Sequence, residues 1–207
     1  MSKFILSFVA LLGATSAFAA PPAADKSGNP RVVFETTKGN IVVELFADKA
    51  PLSTKNMLEY VSAGFYNGTV FHRVIPGFMI QGGGYTKELN EKPTKTAIKN
   101  EAANGLSNKR GTLAMARTGV VDSATAQFFI NLVDNTRLDH RSSEPSEFGY
   151  AVFGQVVSGL EIIDGIARVE RICPSAPPAP CTANIPPGMM DVPKEAVIIV
   201  KASRQKK

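Results

Sequence analysis

The stretch Phe71-His72-Arg73-Val74-Ile75-Pro76-Gly77-Phe78-Met79-Ile80-Gln81-Gly82-Gly83-Gly84 holds most of the side chains able to do chemistry. It reads as strand, tight turn, strand and glycine loop, and Pro76-Gly77 suits the turn. If the two strands pair, alternation puts Arg73 and Gln81 on one face, with Phe78 and Met79 beside them. A guanidinium then stands next to an apolar patch. His72 falls on the opposite face and reads as structural. Two further clusters follow: Gly111-Thr112-Leu113-Ala114-Met115-Ala116-Arg117 and Gln127-Phe128-Phe129-Ile130-Asn131. Ser107 and Ser123 lack a His and acid arrangement, which argues against hydrolysis. The glycine run is not a phosphate cradle, since no Lys-Ser or Lys-Thr follows it and no Gly-x-Gly-x-x-Gly opens a helix. Asp122 and Asp139 read as turn or local hydrogen-bonding residues, and His140 as a loop residue without an evident partner. With two Cys and two His, zinc fingers, iron–sulfur clusters and most His-rich metal sites are excluded, so neither metal nor cofactor is expected.

The elements that must hold these residues are short. Arg31 to Thr37 and Asn40 to Phe46 are β-rich runs around Lys38-Gly39, the pattern of a hairpin. Pro51 opens a helix whose Met57, Tyr60 and Val61 share one face, and Gly64 ends it. Apolar runs recur at Val70 to Ile75, Phe78 to Gln81, Thr112 to Arg117, Gln127 to Val133, Tyr150 to Val157 and Ala196 to Ala202. A second short helix fits Leu160 to Ala167. Many short strands with two helices predict a mainly β fold, a closed antiparallel barrel with α-helices covering its open ends.

The 207 residues are 44% hydrophobic and 20% charged, which excludes wholesale disorder and a fibrous repeat. Lys3, the apolar run Phe4 to Gly13 and Ala17-Phe18-Ala19 form the pattern of a secretory signal peptide. Cleavage is expected near Ala19 or Ala20, and the run is too short for a membrane span. The predicted organisation is a signal peptide at 1–19, a loose Pro-rich leader at 20–30, one domain at 31–203 and a basic tail at 204–207. Loss of Lys3 leaves 22 basic and 18 acidic residues, a mild excess without the aromatic-interleaved stripe of a nucleic-acid site. Export changes how Cys173 and Cys181 read. In an oxidising compartment so close a lone pair defaults to a disulfide, worth roughly 2–3 kcal/mol in chain entropy.

Phe71 to Gly83, Gly111 to Arg117, Ser123 to Asn131 with Leu138-Asp139, and Tyr150 to Gly159 together resemble the cyclophilin family of peptidyl-prolyl cis/trans isomerases, in particular its exported bacterial members. The similarity runs from Arg31 to Ser203. It implies an eight-stranded antiparallel barrel with two capping helices and an active groove on the outer surface. It also implies Arg73, Gln81 and Phe78 as catalytic residues, and Met79, Ala116, Arg117, Gln127, Phe129, Leu138 and Tyr150 as substrate-binding ones. Two departures stand out. Many cyclophilins carry a Trp where this chain has Arg137; that Trp supports tight cyclosporin binding, so weak binding is expected here. Others carry a His where this chain has Tyr150. The stretch Arg141 to Phe148 is an insertion.

The chemistry such a groove would perform needs no nucleophile. Rotation about a peptide bond faces a barrier of about 18–20 kcal/mol, and X–Pro bonds exchange over roughly tens to hundreds of seconds. A cation directed at the proline nitrogen favours the twisted amide, in which that nitrogen regains its lone pair; Arg73 supplies it. An apolar pocket of Phe78, Met79, Phe129 and Leu138 holds the ring, and Gln81 steadies the guanidinium and the substrate carbonyl. The sequence thus predicts a monomeric folding enzyme acting on proline-containing unfolded or flexible polypeptides, exported and periplasmic, with no nucleic-acid partner. A peptide-binding holdase and a thiol redox protein using Cys173 and Cys181 are the competing readings.

Overall fold

The computed structural model describes residues 28–175, 185–186 and 189–205. The expected signal peptide, most of the leader, Cys181 and Lys206-Lys207 lie outside the described residues. Strands β1 (Arg31–Thr36) and β2 (Gly39–Leu45) form the expected hairpin. Helix α1 (Pro51–Ser62) starts at its proline. No side chain of its own caps it; instead the Leu52 and Ser53 amides donate to the Glu101 carboxylate at 2.9 and 2.8 Å. An anion thus meets the positive end of the helix and takes up two otherwise unpartnered donors. Gly64 leaves the helix with φ of +64°, a conformation that favours glycine.

The short strands β3 (Thr69–Val70), β4 (Arg73–Ile75) and β5 (Met79–Gly82) follow. Next come β6 (Thr112–Met115), β7 (Phe128–Asn131) and β8 (Val152–Ser158). Helix α2 (Leu160–Ile166) precedes β9 (Arg171–Ile172), β10 (Val192–Pro193) and β11 (Ile198–Arg204). Nine strands make one antiparallel sheet in the order β3-β11-β1-β2-β8-β6-β7-β5-β4. Its two edge strands are consecutive in the chain, so Phe71-His72 joins one edge of the curled sheet to the other.

The mainly β, antiparallel architecture with two helices is as expected, but the strand count differs. The run Val70 to Ile75 is two strands rather than one, and no ladder links β3 to β4. Phe71 turns its amide to the Val197 carbonyl, which breaks the run. Arg204, expected to start a tail, ends β11 opposite Val32. A separate two-stranded ribbon pairs β9 with β10 and was not foreseen.

The interior is one cluster that includes Phe34, Tyr66, Phe71, Phe128 and Phe153, all buried. Met57, Tyr60 and Val61 of α1 and Ile163 and Ile166 of α2 join it, so both helices close over the same core. Side chains fill the interior, and any binding site must lie elsewhere.

Candidate functional site

Register decides what shares a face. Arg73 lies opposite Gln81, Gln81 opposite Phe129, and Phe129 opposite Ala114. Cross-strand partners point the same way, so these four form one row across β4, β5, β7 and β6. The alternate row, Val74, Ile80, Ile130 and Leu113, belongs to the interior cluster. The Arg73 row therefore lies on the outer surface. A second, smaller apolar cluster sits there: Met79, Ala114, Phe129 and Val152, bordered by Phe46, Ile75, Phe78, Leu106, Ala116, Leu138 and Tyr150. This explains why all four residues of β7 are buried. A strand covered on both faces reads as a continuous apolar run, and Phe128-Phe129-Ile130 carried that signal.

The wall of the groove is fixed from behind by a chain of amides. The Asn135 side chain donates to the Phe78 carbonyl and to Asn131 Oδ1, both at 2.8 Å. Asn131 donates to Asn108 Oδ1 at 3.2 Å and to Thr112 Oγ1 at 2.9 Å. Asn108 in turn donates to Asp139 Oδ1 from its side chain and its backbone, at 2.9 and 2.7 Å. Ser107 Oγ reaches the other Asp139 oxygen. The Tyr150 amide donates to the Leu138 carbonyl at 2.9 Å, tying the last two wall residues together. Each buried donor left unpaired here would cost about 1–3 kcal/mol. Sequence reasoning assigned only Asp139 a local role; Asn131 closes a motif without a role of its own, and Asn108 and Asn135 carry no periodic or motif signal.

The remaining predicted residues fall as follows. Gln81 faces Arg73 in register, but its amide donates to Gln127 Oε1 at 3.0 Å. That bond leaves the Gln81 oxygen free, yet Arg73 does not donate to it; the Arg73 guanidinium has no hydrogen bond or ion pair among the described residues. Gln127 also accepts the Ala116 amide on its backbone carbonyl, at 3.0 Å. The Gln127 side chain lies on Gly84, where an added Cβ would meet it at 2.5 Å. The glycine run thus serves close approach. Arg117 stacks on Tyr150, 4.8 Å from guanidinium carbon to ring centroid, and Tyr150 stands edge-on to Phe129 at 5.6 Å. Arg117 Nε donates to the Gly149 carbonyl at 3.0 Å. Arg137, where the Trp was missed, stacks on the Phe78 ring at 4.7 Å.

His72 is buried against the Tyr85 ring at 4.6 Å, off the outer groove. Burial pushes its pKa down to about 4, with the Arg73 charge adding to the effect and a backbone hydrogen bond at Val70 opposing it. His140, expected without a partner, sets Nδ1 2.9 Å from the Phe148 carbonyl and packs its ring on Phe148, closing the inserted loop. The edge strand β4 is held on its far side by the unforeseen ribbon: the Val74 amide donates to the Asp191 carbonyl at 2.9 Å. Asp191 is buried and paired with Arg171 at 2.6 Å, which anchors that contact.

A row of one cation, one amide and two apolar residues, on an outer face over a packed interior, is the floor of a binding groove. A family model described as cyclophilin type peptidyl-prolyl cis-trans isomerase/CLD matches residues 31–202. Peptidyl-prolyl cis-trans isomerase A of Dickeya dadantii is 47% identical over 207 residues, covering all of both chains. Peptidyl-prolyl cis-trans isomerase B of Escherichia coli is 52% identical over 169 residues, 81% of this chain and 95% of that one. The crystal structure of a Cryptosporidium parvum cyclophilin-type isomerase superposes with a TM-score of 0.64 at 24% identity, over 86% of this chain and 99% of that one, and shares the fold. The chain belongs to the cyclophilin family and is a peptidyl-prolyl cis-trans isomerase.

Proposed function

We propose that isomerisation proceeds without a covalent intermediate, with Arg73 stabilising the twisted imide and the outer apolar cluster holding the proline ring. The observation that carries this reading is the shared row: the unpaired Arg73 guanidinium lies on the same face as Phe129 and Ala114, next to Met79 and Phe78. As the C–N bond twists, the proline nitrogen pyramidalises and becomes a hydrogen-bond acceptor. A guanidinium donor meets that lone pair only in the twisted state, so its stabilisation is differential and accelerates the rotation. Phe78, Met79, Phe129 and Leu138 immobilise the ring side of the bond. Gln81, held by Gln127, presents its carbonyl oxygen and remaining N–H to the substrate backbone. Ala116, Arg117, Gln127 and Tyr150 line the continuation of the groove and steady the chain on the other side. The substrates are extended X–Pro segments of unfolded or flexible polypeptides.

The test is a cis/trans relaxation assay on a short Pro peptide. Arg73→Ala should lower kcat/KM by about two orders of magnitude, equivalent to roughly 2.7 kcal/mol of transition-state stabilisation. Equal rates would remove Arg73 from the mechanism.

The enzyme acts on exported polypeptides in the periplasm, as a monomer, after cleavage near Ala19 or Ala20. The sequence pattern of residues 1–20 supports this. Cys173 pairs with Cys181; that Cys173 is buried and that no free cysteine occurs among the described residues supports it. Thiol titration of the exported protein should find none. Cyclosporin binds weakly, since Arg137 offers a cation rather than an indole.

A further inference from the structure

We infer that Arg137 makes the groove select proline segments carrying a carboxylate on a residue adjacent to the proline. This rests on the reading of the outer groove as the site of isomerisation. Arg137 sits in the short 3-10 helix Thr136–Leu138, immediately before the wall residue Leu138. Its guanidinium carbon lies over the Phe78 ring, 4.7 Å from the centroid; the residue is exposed and forms no hydrogen bond or ion pair with any described residue. A guanidinium whose donors are unused is a planar fork that can take a carboxylate in two parallel hydrogen bonds.

The surroundings favour an anion. Arg137, Leu138 and Tyr150 line one cavity of about 640 Å³ with Arg117 and Arg141. Two carboxylates also line it, and both are spent internally. Asp139 accepts from Ser107 and Asn108 on its two oxygens. Glu147 accepts from Ser142 at 2.8 Å and faces Arg141 at 3.7 Å. Arg117 is also committed, donating to the carbonyls of Gly149, Thr118 and Pro145. Arg141 keeps open donors too, but faces the Glu147 carboxylate; Arg137 is the cation of this cavity with neither a hydrogen bond nor an ion pair to a described residue, and it sits one ring away from where the proline would sit. An acidic side chain beside the proline gains a partner there; a lysine meets repulsion.

The experiment measures kcat/KM by cis/trans exchange on end-blocked peptides Ala-Xaa-Pro-Ala and Ala-Ala-Pro-Xaa, with Xaa as Glu, Ala or Lys. At low salt the wild type should prefer Glu over Lys by about tenfold at one of the two positions, falling below about threefold in 0.5 M NaCl. Arg137→Gln should collapse that ratio to about threefold or less, and Arg137→Lys, which keeps the charge and loses the fork, should give an intermediate ratio. Because each ratio is internal to one variant, a general loss of activity does not mimic the result. Two outcomes overturn the inference: no Glu preference in the wild type, or an Arg137→Gln ratio equal to the wild type's, which assigns the preference to the general field of Arg73 and Arg117. Acceleration of the Ala peptides alongside either outcome leaves the isomerase reading of the groove standing; no acceleration of any peptide removes that reading instead.

Discussion

Phe128 and Phe129 are neighbours on β7 with opposite surroundings. Phe128 stacks on Phe34 at 5.2 Å and meets Tyr66 and Phe71 edge-on at 5.7 and 6.1 Å, with nothing of it exposed. Phe129 meets one ring, Tyr150, and its cluster is bordered by half-buried side chains. The inner face is complete by itself. The outer face has a buried floor and a partly open rim, so it keeps room for a ring from elsewhere. One ladder thus separates stability from function by strand alternation alone. The comparison is broken or kept by two truncations. Phe128→Ala should cost about 3–5 kcal/mol in urea unfolding. Phe129→Ala should cost less in stability, because part of its volume already borders the groove, yet lower kcat/KM per folded molecule by more than tenfold. Equal stability losses with unchanged kcat/KM for Phe129→Ala would show that the two faces do not divide the labour.

A second contrast lies across the Phe71–Arg73 segment, where His72 is buried against Tyr85 and Arg73 faces the outer groove. His72 is held neutral by burial, with a folded pKa of about 4 against an ordinary value of 6.5. The unfolded chain therefore binds a proton at a pH where the native chain does not. The contribution to stability is full above pH 6.5, is lost as pH falls towards 4, and levels off below; over that window it amounts to ~3 kcal/mol. The unfolding free energy from urea titration should fall by that amount more for wild type than for His72→Leu when pH drops from 7.5 to 4. Parallel curves would mean that the imidazole is not excluded from water. Carboxylates titrating in the same range affect both proteins and cancel in the difference.

How much of this was legible beforehand follows the same division. The hairpin, both helices and most strands were readable because alternation, Pro51 and Gly64 are local signals. The row of Arg73 and Gln81 was readable because the Pro76-Gly77 turn fixes its register. The break at Phe71-His72 was not, because what ends the strand is a backbone bond to Val197, over a hundred residues away. Nor was the Asp191 contact that holds β4, since a buried aspartate paired with Arg171 looks in sequence like any surface acid. The asparagine chain behind Phe78 escaped for a similar reason: amides are ordinary loop residues until the fold brings three together. The face of Gln81 is legible and its partner is not, because register predicts proximity to Arg73 while the competing Gln127 arrives from the irregular segment just before β7.

That last pairing offers the smallest and cleanest perturbation. Gly84 has an ordinary backbone conformation, with no positive φ, so alanine meets no strain there. A Cβ at Gly84 would instead meet the Cγ, Cδ and Nε2 atoms of Gln127, at 2.5 to 2.7 Å. The flexible end of that side chain must move, and its hydrogen bond with Gln81 goes with it. Both glutamines are only partly buried, so water can satisfy the freed groups and the cost to stability should stay within about 1 kcal/mol. The effect should appear in the groove: KM for a Pro peptide rises a few-fold while kcat changes less, because Gln127 and Gln81 orient the substrate backbone and Arg73 still meets the twisted bond. A fall in kcat with KM unchanged would move Gln81 from holding the peptide to stabilising the transition state, and would make the two sides of the row, cation and amide, a single catalytic unit.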